Sequence, residues 1–149
     1  MAVKTWLSDI FWQNWHSSME NNVLCLNYRI FKPERNLEQY LTILEYSNRA
    51  IFSKFRCGSH YLPISIQRFN MPDERNICPI CNLDVGDEFH YVMACPAFNH
   101  LREQFINQYF YRRPNAIKFR ELTSTLNKSK LISLCKFLKI IIYTFRPWS

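Results

Sequence analysis

The stretch CPICNLDVGDEFHYVMACP, residues 78–96, places three cysteines and one histidine within eighteen positions, in the spacing C-x2-C-x8-H-x4-C. Zinc takes four ligands from thiolate and imidazole in a tetrahedron. Cys78, Cys81, His90 and Cys95 supply such a set. Cys78 and Cys81 bracket Pro79-Ile80, a tight turn that lets both sulfurs face one point. Asp87 and Glu88 start a helix, because carboxylates favour its N-terminal end. His90 and Cys95 fall on neighbouring helix faces, and unwinding before Pro96 turns Cys95 inward. Asp84–Gly86 forms the loop between the halves. Three thiolates and a neutral imidazole leave a formal charge of −1, for which backbone N–H groups and Arg75 are candidates. The second nitrogen of His90 calls for a carbonyl or carboxylate partner. In zinc-finger peptides such ligation is worth about 10–16 kcal/mol near pH 7, against about 5–15 kcal/mol for whole-domain stability. A catalytic metal keeps an open position. A filled Cys3His set has none and reads as structural.

Outward from this knuckle the chain is mostly helical. Val3–Met19 repeats Trp6, Leu7, Ile10, Phe11 and Trp15 at helical spacing, and Asn21-Asn22 ends the run. Val23–Phe31 alternates like a short strand until Pro33. Asn36 is a candidate cap for a helix over Leu37–Leu44, and Ser47 for one reaching Phe55 or Arg56. Gly58 sits where a left-handed residue closes that helix. Tyr61–Ile64 reads as extended, and Pro72 marks the loop into the knuckle. Beyond Pro96, helices are expected over Asn99–Tyr111, about Ala116–Leu126, and Leu131–Tyr143. The last is apolar nearly all round, which implies burial or a missing partner. The expected fold is a small, mostly α domain with a CCHC zinc knuckle and at most one short β segment. Its parts are a helical region 1–72, the knuckle 73–98 and a basic helical region 99–149, forming one compact unit.

The 149 residues include only two glycines, Gly58 and Gly86, and no GxGxxG or GxxxxGK[ST] cradle. Charge is unevenly placed. Residues up to Phe98 carry nine basic and ten acidic side chains; from Asn99 onward ten basic face Glu103 and Glu121, a balance of +8. Such asymmetry points to a polyanion, nucleic acid or an anionic membrane surface, with a solvated helical face as the plainer alternative. Arg112, Arg113, Lys118, Arg120, Lys128 and Lys130 are the candidate phosphate contacts. The N-terminus lacks a secretory pattern, and six cysteines fit metal binding or free thiols in a reducing compartment, so an intracellular location is expected. The apolar run Leu131–Phe145 contains Lys136 and Lys139 and is too short to span a bilayer.

The segments LNYRIFK, LEQYL, FSKFRCGSHYLPI, ICPICNLDVGDEFHYVMACPAF and LREQFI occur in that order. Together they resemble the C-terminal tail of the reverse-transcriptase polyprotein of non-LTR retrotransposons, over about Trp6 to Phe110. The CCHC spacing ending in GDEFHYVMACP is the most specific part. The resemblance implies zinc at Cys78, Cys81, His90 and Cys95, and a tail that helps bind template RNA or target DNA, with a reverse transcriptase or another chain as partner. The chain lacks the polymerase Tyr-x-Asp-Asp motif and a nuclease-like spread of carboxylates. It therefore reads as an orphan or truncated open reading frame with no catalytic constellation: a zinc-stabilised nucleic-acid-binding module. Its rivals are a zinc-scaffolded protein-interaction module, motivated by the Leu131–Tyr143 helix, and a transposon remnant without function. His60, in CGSHYLPI, reads either as a nucleic-acid contact or as a turn residue packed on the knuckle. Phe89 and Tyr91 read as base-stacking rings or as core around the metal. His16 and His100 read as surface or half-buried residues. Cys25, Cys57 and Cys135 read as small apolar residues.

Overall fold

A computed structural model describes residues 2–22, 28–32, 36–65 and 76–147. The fold is mostly α, with one antiparallel bridge, Ile77 to Val85, among the described residues. The helices are α1 (Ala2–Asn21), α2 (Tyr28–Phe31), α3 (Tyr40–Ile43), α4 (Tyr46–Arg56), α5 (Asn99–Phe105), α6 (Gln108–Tyr111), α7 (Ala116–Thr123) and α8 (Lys128–Thr144). A π-helical turn, His90–Ala94, and a 3-10 turn, Pro96–Phe98, join the knuckle to α5.

The core is built around α8. Leu131, Leu134, Cys135, Phe137, Leu138, Ile141 and Ile142 are buried there. Their spacing of three, four and seven makes a broad apolar face, and each large side chain fully buried stabilises by about 1.5–3 kcal/mol. α4 covers α8 through the side that buries Phe52 and Phe55, and α5 packs on it as well. The helix that read as buried or lacking a partner is thus covered by its own chain. Asn127 starts it, its side chain accepting from the Lys130 N–H.

Several boundaries differ from expectation. Tyr28–Phe31 is a helical turn and not the end of a strand; Phe31 packs its ring on Phe55 and Phe119, which rewards facing the core over alternating. Residues 23–27, with Cys25, lie outside the described residues, as do Pro33, Pro72 and Arg75. α3 starts at Tyr40, with Gln39 and not Asn36 at its cap, and Leu37 stays exposed. α4 is preceded by Glu45, so Ser47 is not a cap. Gly58 does close α4, at φ 68°. Residues 63–65 are helical, with the Ser65 N–H on the Leu62 carbonyl, and not extended. The helix expected over Asn99–Tyr111 is two. Ile106 turns into the core, and Asn107 starts α6 by accepting from the Tyr109 N–H at 2.9 Å. α7 stops at Thr123, whose hydroxyl turns back to the Phe119 carbonyl.

Arg56 is almost wholly buried. Its guanidinium donates to the carbonyls of Phe31 and Thr123 and to the Glu38 carboxylate, and lies over the rings of Phe31, Tyr40 and Phe52. It therefore ties α2, α3 and α4 to the end of α7. α1 contrasts with this interior. Val3, Trp6, Leu7 and Phe11 are all exposed, while Trp15 meets Tyr28 edge to face. Among the described residues no helix is long and apolar enough to cross a membrane.

Candidate metal centre

The first ligand pair sits on a short turn. The Asn82 N–H donates to the Cys78 carbonyl at 2.9 Å, and Asn82 takes a left-handed φ of 55°, which asparagine tolerates better than most residues. Two further bonds, Cys78 N–H to Asp84 O and Gly86 N–H to Asn76 O, each 2.8 Å, zip the flanks together. Gly86 is required by close approach. A Cβ there would meet the Tyr91 hydroxyl at 2.7 Å and the Cys78 Cα at 3.0 Å.

The second pair depends on the π-turn. Asp87 caps it, its carboxylate accepting from the His90 N–H at 2.8 Å. Five residues advance roughly 140° away from the starting face of an α-helix. The wider turn, closed by the Cys95 N–H on the His90 carbonyl at 2.7 Å, brings both ligands to one side. Pro96 then follows as the first residue of the 3-10 turn. Widening of the helix, more than unwinding, points Cys95 inward.

All four ligand atoms lie within 4.8 Å of one another. Cys78 Sγ and Cys95 Sγ are 4.0 Å apart, and Cys81 Sγ is 3.2 Å from His90 Nε2. Tetrahedral zinc, with bonds of about 2.3 Å to sulfur and about 2.0–2.1 Å to nitrogen, needs separations of about 3.8 Å and about 3.6 Å. The donor set therefore fits such an ion, and no disulfide consumes it. Cys78, Cys95 and His90 are buried, and Cys81 is partly exposed.

Burial pushes the Cys95 thiol up to about 12, with Cys78 and Cys81 adding to the rise. Burial also raises Cys78, but the backbone N–H groups of Cys81 and Ile80 and the Tyr91 hydroxyl outweigh it and leave that thiol below its ordinary value. The Tyr91 hydroxyl is itself buried and finds no partner of ordinary geometry among the described residues. A thiolate at Cys78 is the acceptor it lacks. Burial holds His90 below the usual histidine value, which favours the neutral imidazole a metal needs. The expected carbonyl or carboxylate on its second nitrogen is not found among the described residues: Nδ1 is buried without a partner.

Arg102 lies beside the ligand set. It is 1% exposed and donates to the carbonyls of Val92 (2.8 Å), Tyr91 (3.3 Å) and Cys95 (2.7 Å), and to the Asn99 side chain. Burial lowers its pKa and the Cys95 thiolate raises it, with burial prevailing; a guanidinium stays protonated regardless. A fixed positive charge thus lies beside a ligand set of formal charge −1. No sequence signal distinguishes it from the surface arginines around it.

His60 packs on the knuckle. The Leu62 N–H donates to its Nδ1 at 3.3 Å, so Nε2 carries the proton and donates to the Glu88 carboxylate at 3.0 Å. Ser65 Oγ lies 2.8 Å from the same Nδ1 and 2.9 Å from the Gly58 carbonyl, two acceptors for its one hydroxyl proton. Serine, histidine and glutamate stand in a row, all buried. They clasp the knuckle to the loop after α4, a constellation that residues 60, 65 and 88 do not announce in sequence. Tyr91 is fully buried, and Phe89 meets Phe119 edge to face, so both belong to the interior. His16 and His100 are exposed. Cys57 is exposed, unlike the small apolar residue expected, while Cys135 is buried.

Of the six candidate phosphate contacts, Arg112, Arg113 and Lys118 line one depression between α6 and α7. Arg120 is exposed on α7, and Lys128 and Lys130 are exposed on the first turn of α8. Arg102, counted with the basic third, is internal. No protein-family model, curated protein or solved structure matches the chain.

Proposed function

We propose that the chain is a non-catalytic, zinc-stabilised nucleic-acid-binding module, akin to the C-terminal tail of a non-LTR retrotransposon reverse transcriptase and acting on RNA or DNA inside the cell. The convergence of Cys78, Cys81, His90 and Cys95 on one point carries the reading. Three soft thiolates and an imidazole favour zinc over the oxygen-seeking divalent cations. When bound, the ion supplies cross-linking, since four protein ligands leave no position for substrate. The exposed basic side chains of Arg112 and Arg113, just after α6, and of α7 and α8 support the nucleic-acid half of the proposal. So does the resemblance of residues 77–98 to the retrotransposon knuckle.

Protein purified without added metal should contain one zinc per chain and bind single-stranded RNA or DNA. Log K should fall with log salt by about 0.7 per phosphate neutralised on a single strand. Metal-free protein with intact folding, or no affinity at low salt, overturns the reading. A second reading, docking on another protein, draws on the exposed Val3, Trp6, Leu7 and Phe11 of α1. The helix that first suggested it, α8, is covered. Light scattering that shows self-association lost in Trp6→Ser/Phe11→Ser would favour that alternative.

A further inference from the structure

We propose that the depression between α6 and α7 holds one unpaired nucleotide, its base on the ring of Tyr109 and its phosphate on Arg112 and Arg113. This rests on the nucleic-acid reading above and assigns that reading a place.

The depression has a volume of about 380 Å³ and is lined by Gln108, Tyr109, Arg112, Arg113 and Lys118. That lies within the ~300–1,000 Å³ common for small-ligand sites. No carboxylate is among the lining residues. Tyr109 is 53% exposed, an aromatic ring left in solvent on a helix whose next residue, Phe110, is buried. The ring is nevertheless held. It stands edge-to-face with the Phe110 ring, 5.1 Å between centroids, and its hydroxyl donates to Glu121 at 3.1 Å. A fixed ring offers a stacking surface without the entropy cost of ordering it on binding.

The cations are arranged around that ring. Lys118 Nζ lies over one face of the Tyr109 ring, 4.8 Å from its centroid, and donates to the Arg112 carbonyl at 2.6 Å, so a base would stack on the ring beside or opposite this ammonium. Lys118 therefore joins the end of α6 to α7 and charges the rim. Arg113 holds a left-handed backbone, φ 57°, which residues with a Cβ adopt at a cost relative to the right-handed form. Glycine or asparagine would sit there more cheaply. A costly arginine at the mouth of a cationic depression is the kind of local exception that binding sites tolerate.

An aromatic face beside guanidinium and ammonium groups matches a nucleotide, which presents a flat π-system and an anion a few ångströms apart. A duplex buries its base faces in the stack and has none to offer Tyr109. The Gln108 amide, with donor and acceptor at the rim, suits a base edge.

The test uses the full zinc-loaded chain and short oligo(dT) and oligo(rU) carrying 2-aminopurine, with a duplex of equal length as comparison. Binding should quench 2-aminopurine, a signature of stacking. Tyr109→Leu, which keeps bulk but not the π-face, should weaken single-strand binding about tenfold, abolish the quench and leave the salt slope unchanged. Tyr109→Phe should retain both affinity and quench. Arg112→Ala/Arg113→Ala should reduce the salt slope and keep the quench. Lys136→Ala/Lys139→Ala, on the exposed side of α8, should keep the quench as well. Single-strand binding by the parent chain with no change in Tyr109→Leu overturns the nucleotide site and leaves the module reading standing. Absence of any binding by the parent chain overturns both. Equal melting temperatures across the variants exclude misfolding as the cause of any loss.

Discussion

Between Ile77 and Cys95, buried sulfur, imidazole and carboxylate share a small interior with Tyr91, Val92 and Met93. Along α8, by contrast, leucine, isoleucine and phenylalanine fill the interior, and the charged residues point outward. The first region is ordered by a few directional bonds between named atoms. The second is ordered by many weak, interchangeable contacts. Removing one group from the knuckle therefore removes a large share of what holds it, whereas α8 shares its stability among seven buried positions.

The largest effect expected is from breaking the ligand set. A strong chelator, or Cys81→Ser, should cost the knuckle most of its ~10–16 kcal/mol of ligation energy. Hydrogen exchange should show the Cys78, Gly86 and Cys95 amides losing protection while amides in the middle of α8 keep theirs. Unchanged melting under chelator would contradict the zinc assignment, and equal loss in α8 would erase the contrast between the regions.

Arg102→Ala tests the joint between the knuckle and α5, the helix that packs on α8. It leaves the carbonyls of Tyr91, Val92 and Cys95 buried without their donor. A loss of about 3–5 kcal/mol in urea unfolding of the zinc-loaded chain is expected. Arg102→Lys should recover only part, because one ammonium replaces a planar fork. Here protection should fall in both regions together; a loss confined to the knuckle would show that the joint is one-sided.

The smallest effect is in pH. In the metal-free fold Cys95, pushed up to about 12, holds its proton throughout the neutral range, and zinc binding expels it. The bound state therefore carries fewer protons, and affinity rises with pH by about 1.4 kcal/mol per unit for each thiol proton released. His90, lowered by burial, is already neutral there and contributes no proton. Competition titrations across the neutral range measure the slope. The stability of α8 should stay flat over the same interval, and a flat zinc affinity would refute the assignment of thiol protons.

The candidate ligands were legible because their signal is local: four residues, three cysteines and a histidine, at a spacing that packing rarely produces. The breadth of α8 was legible as well, since periodicity survives in any context. The conformation between His90 and Cys95 was not, because a widened turn and an unwound one have the same residues; the Cys95 N–H bond to His90 O decides between them. Arg56 and Arg102 were hidden for a related reason. Charge counting treats each arginine as solvated, and only the fold supplies the carbonyls that bring these two inside. Asn36 and Ser47 suit helix caps by type, yet α3 begins after Gln39 and α4 after Glu45, neither with a side-chain cap bond.

α8 follows everything it organises. During synthesis the ligand cluster leaves the ribosome before Arg102, and the central helix emerges after every surface it will cover. The four candidate ligands can meet across a short span with little loop-closure cost, but α4 and α5 must wait with apolar sides uncovered. The order of translation thus separates the two regions, with the candidate ligands out early and the apolar helix last.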